Sequence, residues 1–168
     1  MTDPRLPAIP GPPLSEQRRL TPWIGLGVLL VALWTYLRTL APTVPFWDAG
    51  EFIAVSKILG VPHPPGTPFY VVLGRMATLV PLGSVAQRVN GLSAVTAALA
   101  VLLTYLTTLR LIRIARRGGV GAGGERGAGS EWLAQVGAVV AALMLAFSRT
   151  FWSNATGAET YAPMSLAQ

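Results

Sequence analysis

Between two apolar stretches of this chain lies Trp47-Asp48-Ala49-Gly50-Glu51-Phe52, which carries two carboxylates three residues apart. His63-Pro64-Pro65-Gly66 follows shortly and holds the only histidine of the 168 residues. A carboxylate at a membrane face can take the proton from an attacking hydroxyl or ligate a divalent cation. Partial burial there raises its pKa toward a useful value. Ionisable groups beside a bilayer are costly to hold, which favours a functional reading of Asp48 and Glu51. The same spacing has a purely structural reading, because Asp at an N-cap with Glu three residues on is a capping box. Such a box needs only backbone N–H groups as partners. Spacing alone does not separate the two.

His63 is held in a stiff segment, since prolines fix φ and Gly66 permits backbone closed to other residues. It is either a mount for an imidazole that meets a phosphate or acceptor, or a plain turn with an exposed side chain. A lone histidine does not make a metal site, so no metal centre is assigned and a divalent cation is left open. Arg88 and Asn90 stand just before a long apolar run. Arg88 can pair with a lipid-linked phosphate or snorkel to the headgroups. Glu159 and Tyr161 follow a further apolar run, and on their own they mark an ordinary helix start.

The elements that must position these residues are membrane helices. Hydrophobic residues make up 52% of the chain and charged residues 12%, about half the charged share of soluble domains. With a mean hydropathy of +0.51, this composition predicts an all-α, polytopic transmembrane helix bundle. The net charge of +6 does not point to nucleic acid, because the arginines flank apolar runs and do not form a basic face with interleaved aromatics. The absence of cysteine excludes disulfides and thiolate metal sites.

Residues 1–20 read as a polar, proline-rich, disordered tail. Residues 21–168 read as one membrane domain, with spans at about 22–40, 90–110 and 131–148. Between the first two spans, 41–88 reads as a loop with short helices: one over 49–59, stopped by Gly60, and an apolar segment at 68–80 too short to span. Residues 111–130 read as an arginine-rich and then glycine-rich loop, and 149–168 as an outer segment with the start of a next helix. No cap or polar tail closes that last helix, so the chain is expected to be the N-terminal part of a longer protein.

Arg5, Arg18 and Arg19 precede the first span, and Arg110, Arg113, Arg116, Arg117 and Arg126 follow the second. By the positive-inside rule both groups are cytoplasmic. Asp48, Glu51, His63 and Glu159 then all face the extracytoplasmic side of a multi-pass protein in the cell (plasma) membrane. Arg38, Lys57, Arg75, Arg88 and Arg149 lie on or near that outer side against the rule.

Four blocks occur in order: Trp47 to Phe52; Leu59-Gly60-Val61-Pro62-His63-Pro64-Pro65-Gly66-Thr67-Pro68; Arg88-Val89-Asn90-Gly91-Leu92-Ser93-Ala94; and Phe151-Trp152 with Ala158-Glu159-Thr160-Tyr161. In these the chain resembles the transmembrane protein 260 family, whose bacterial members form a domain of unknown function. The resemblance implies the N-terminal part of a GT-C-type membrane glycosyltransferase, related in architecture to protein O-mannosyltransferases. Such enzymes transfer a sugar, mannose in the namesake group, from a polyprenyl- or dolichyl-phosphate donor to a protein or glycan acceptor on the extracytoplasmic face. They keep an essential acid in the first outer loop.

Carried to the matched positions, Asp48 is the leading catalytic carboxylate with Glu51 beside it. His63 and Arg88 contact donor phosphate or acceptor, Glu159 supports the site from the next outer segment, and Asn90 and Tyr161 complete the expected substrate contacts. The expected partners are the bilayer, the lipid-linked sugar donor and the acceptor. The rival readings are a transporter or lipid-handling protein and a non-catalytic scaffold. Charges in the middle of the helices would favour the transporter, and the spanning runs have none there.

Overall fold

After Pro13 the chain meets no proline or glycine until Pro22, and leucine, glutamate, glutamine and arginine favour helix throughout that interval. In the computed structural model the first helix, α1 (Leu14–Arg38), begins there. Of the tail expected over 1–20, residues 14–20 are helical, and the rest lies outside the described residues. The structure describes residues 14–45, 48–64, 67–117 and 128–158. Every regular element among them is a helix: α2 (Ala49–Ile58), α3 (Pro68–Thr78), α4 (Val85–Arg117), α5 (Ala128–Ala146) and α6 (Arg149–Thr156) follow α1. The all-α helical bundle is as expected.

The core is built from small side chains at helical spacing. Ala134, Ala138, Ala142 and Ala146 recur every fourth residue along α5 and are buried. They meet Val28, Ala32 and Tyr36 of α1 and Ala94, Ala97, Ala98, Val101 and Tyr105 of α4 in one cluster. Lipid tails are as apolar as leucine, so helices in a bilayer associate by close van der Waals contact, which small residues permit. Gly25 shows how close the contact is, since a Cβ there would sit 3.2 Å from Leu102 and Tyr105. Trp23, Leu30, Trp34 and Met144 remain exposed on the perimeter, where a bilayer would cover them.

Two helical stretches, 19–38 and 85–116, are long and apolar enough to cross a membrane. Over the third expected span, 131–148, α5 runs to Ala146, and there the chain bends by 63° into α6. Ser148, in extended backbone, makes the break. Tyr36 donates to the Ala146 carbonyl at 2.9 Å, which satisfies an acceptor freed at the helix end. The Ala41 N–H bonds to the Thr156 carbonyl at 3.0 Å, and the Trp152 indole N–H to Thr39 Oγ1 at 3.1 Å. These bonds fasten α6 to the end of α1.

The second spanning helix, α4, contains the span expected at about 90–110 and continues beyond it at both ends. At about 1.5 Å per residue, the 33 residues of α4 extend well beyond the roughly 30 Å hydrocarbon core. Its last turns carry Arg110 and Arg113 out of the apolar zone. Its start is fixed by a capping box, Gln87 N–H to Ser84 Oγ at 3.2 Å and Ser84 N–H to Gln87 Oε1 at 2.9 Å.

Between α1 and α4, the two short helices pack on each other and on the first turns of α4. Gly74 of α3 is required for this, because a Cβ there would lie 2.7 Å from the Ser56 Cβ and closer still to its hydroxyl. Ala49, Phe52, Ile53, Tyr70, Val89 and Ala158 form the cluster beneath them.

Candidate functional site

α2 is ten residues long, and its end sets the site. Leu59, not Gly60, takes the left-handed conformation (φ 56°), while the Gly60 N–H bonds back to the Val55 carbonyl at 3.0 Å. This is a Schellman-type turn with leucine where glycine is favoured. It reverses the chain, and residues 59–63 return alongside the helix to its first turn. From Glu51 to Ile58 the helix rises about 10 Å, a distance that the next few residues cover when extended.

His63 thereby meets Glu51 twice. Its backbone N–H donates to Oε1 at 2.7 Å, and its Nδ1 lies 2.6 Å from Oε2. Phe52 stands beside the imidazole, ring centroids 6.0 Å apart, and Tyr70 meets Phe52 edge-on at 5.2 Å. The two hydrogen bonds from His63 hold the Glu51 carboxyl below its ordinary pKa. In return the Glu51 hydrogen bond and charge, with a contribution from Asp48, hold the imidazole above its ordinary value. The pair is a carboxylate–imidazolium clamp on the surface, with both side chains more than a third exposed.

Asp48 behaves differently. It precedes α2 with φ −71° and ψ −10°, and its side chain makes no capping hydrogen bond. The capping box suggested by the spacing is therefore not formed: Glu51 faces His63, and Asp48 is exposed. One carboxylate is tied to His63, and its neighbour is exposed with no capping bond. Asp48, Glu51 and His63 offer three ligand atoms within 4.8 Å of one another. These are hard oxygens and an imidazole of the kind that magnesium or manganese accepts. A cation there would have to displace the Nδ1 contact of Glu51.

The other expected site residues are distributed. Asn90 is fully buried, and its Nδ2 donates to the carbonyls of Ala41 and Thr43 at 2.9 and 3.1 Å. It pins the strand of chain that leads from α1 toward Asp48. Arg88 donates to the carbonyls of Thr78, Leu82 and Gly83 at 2.9–3.0 Å, which caps the C-terminal end of α3. Neither side chain joins the acidic cluster. Glu159, Tyr161 and Trp47 lie outside the described residues, although Ala158 is buried in the cluster beneath α2.

Arg75 was read only as an outer basic residue, yet it donates to the Lys57 carbonyl at 2.7 Å and caps α2. At the other end of the bundle lies a second polar network, built across helices. Tyr105 donates to Gln135 Oε1 at 2.5 Å, Gln135 to Thr21 Oγ1 at 2.7 Å, and Arg113 pairs with Glu131. The Ser84–Gln87 box was legible as Ser-x-x-Gln before an apolar run. The network has no local signal, because its members are up to 114 residues apart.

Residues 48–168 match the family described as the protein O-mannosyl-transferase TMEM260 N-terminal domain. The protein O-mannosyl-transferase TMEM260 of Mus musculus is 46% identical to this chain over 56 residues, 33% of this chain and 8% of the mouse protein. The likeness thus takes in a small part of that relative's length. No solved structure matches. With the family match beginning at Asp48 and running through the whole outer-loop cluster, the chain belongs to the TMEM260 N-terminal domain family.

Proposed function

We propose that this chain is the acid-bearing part of a GT-C-type membrane glycosyltransferase. It would move a sugar, mannose being the first candidate, from a polyprenyl- or dolichyl-phosphate to a hydroxyl of a protein or glycan acceptor. The observation that carries the reading is the meeting of Asp48, Glu51 and His63 at the first turn of α2, within the segment that matches the family. In this scheme the acceptor oxygen attacks the anomeric carbon and Asp48 takes the hydroxyl proton. The bond from that carbon to the phosphate oxygen breaks, and the lipid phosphate leaves with the electron pair. Configuration inverts. Glu51 positions His63 through Nδ1 and favours its protonated form, in which the ring offers its other N–H to the leaving phosphate.

Sidedness follows from the arginines. The basic end of α4 and the start of α1 share one end of the bundle, joined through Thr21, Arg113 and Gln135. Under the positive-inside rule that end is cytoplasmic and α2 is extracytoplasmic, in a multi-pass protein of the plasma membrane.

The test is transfer from a labelled polyprenyl-phosphate mannose by the full-length protein. Asp48→Asn is expected to lower turnover by about 10²–10⁴-fold, the usual contribution of a positioned base. Unchanged turnover in that variant would remove Asp48 from the chemistry.

A further inference from the structure

Away from the acidic cluster, a groove of about 560 Å³ runs between the end of α1, the end of α3 and the start of α4. Leu37 and Leu40, Val80, and Gly91, Leu92 and Val95 form its walls, and Arg88 stands at its edge. The volume lies within the ~300–1,000 Å³ typical of small-molecule sites. The lining is almost wholly apolar, and Leu37, Val80 and Val95 are exposed, continuous with the lipid-facing sides of α1 and α4. Arg88 lies in the first turn of α4, a helix long enough to span, and so at the depth of lipid headgroups. Three of its five N–H groups go to backbone carbonyls, which do not neutralise its charge. No ion pair to Arg88 forms among the described residues.

The geometry points to a lipid site: one hydrocarbon chain of an anionic phospholipid from the surrounding bilayer lies in the groove, with its phosphate on the free N–H groups of Arg88. Hydrocarbon matches the walls, and a phosphate matches an uncompensated guanidinium at the membrane boundary. The lipid is distinct from a sugar donor. Asp48, Glu51 and His63 are not among the lining residues, so the groove is separate from the acidic cluster. The site is independent of the glycosyl-transfer reading. It ties three helix ends together at the rim on which the outer loop is built.

Gly91 supplies the decisive variant, because a Cβ there meets nothing within 4 Å. Gly91→Phe therefore fills the groove while leaving Arg88 and its three carbonyls intact. The full-length protein is placed in phosphatidylcholine nanodiscs containing phosphatidylglycerol with a diazirine on one acyl chain, irradiated, and digested. Adducts are expected on the peptide carrying Leu92 and Val95, and Gly91→Phe should lower their yield about tenfold, a loss of about 1.4 kcal/mol in binding, with the unfolding temperature unchanged. Arg88→Gln should abolish the preference for the phosphatidylglycerol probe over its phosphatidylcholine counterpart. Wild-type protein without adducts at this peptide would mean that another part of the protein covers the groove, and would overturn the proposal. So would a yield unaltered by Gly91→Phe, or equal labelling of wild type by both probes.

Discussion

The two ends of the bundle hold polar groups in opposite ways. At the end where α4 finishes, Thr21, Tyr105, Arg113, Glu131 and Gln135 come from three helices, and the Arg113–Glu131 pair is largely sheltered. Tyr105, Gln135 and Arg113 each donate to an acceptor on another helix, so the network joins helices. At the end where α2 begins, Glu51 and His63 lie 12 residues apart on one hairpin of chain and are more than a third exposed. Asp48 beside them is uncommitted. Polar groups knitted between helices stabilise a bundle, whereas polar groups held locally with capacity left over can act on something outside it.

That contrast is broken most severely if a single change at the acidic end affects stability, or one at the basic end affects only activity. Asp48→Asn should remove about 10²–10⁴-fold of transfer with no shift in the thermal midpoint, since the Asp48 side chain makes no capping bond and its backbone carbonyl, which accepts from Phe52, is unchanged. Glu131→Ala should do the reverse. It strands Arg113 in a half-sheltered position and should lower stability by about 2 kcal/mol, between the values for exposed and buried pairs. Denaturation in detergent, followed by tryptophan fluorescence, reads both. A destabilised Asp48→Asn would show that the acidic end is structural after all.

A smaller effect tests how the acidic end is mounted. Gly74→Ala forces a methyl group into Ser56 and should cost about 1–3 kcal/mol by overpacking. The added change Ser56→Gly removes the clashing Cβ and should restore much of the loss. If Gly74→Ala is silent, α2 and α3 do not pack as closely as the structure has them.

How much of this was legible depends on the distance over which each residue acts. The apolar runs and the Asp48–His63 segment are local, and they could be read directly. The capping box could not be assigned from spacing, because Asp48/Glu51 and Ser84/Gln87 share the same three-residue separation and only the second pair closes. The deciding factor is His63, which returns to Glu51 with two donors and outcompetes the helix N-terminus. Arg75 and Arg88 looked like violations of the charge rule on the outer side. They are there because the ends of α2 and α3 leave carbonyls that a guanidinium satisfies. Glu131 has no local signal, since its partner Arg113 stands within an arginine cluster that topology alone explains.

The smallest expected effect gives the sharpest view of the clamp itself. Glu51 is depressed, so its share of the interaction is present above the ordinary carboxyl value of 4.5 and is lost as pH falls through the lower folded value. His63 is raised, so its share is complete below the ordinary 6.5 and is lost as pH rises through the higher folded value. The clamp therefore persists from below 4.5 to above 6.5, a window that includes mildly acid and near-neutral conditions. His63 is the one histidine of this chain, and in a proton NMR titration its imidazole signal is assigned by its loss in His63→Gln. Its midpoint should lie above 6.5, and Glu51→Gln should bring it down, since the neutral amide removes the charge and the best acceptor. Asp48→Asn should lower it less, because Asp48 acts on the ring only through space. Equal shifts in the two variants would mean that His63 senses a diffuse acidic surface, and the distinction between a committed and an open carboxylate would then be lost.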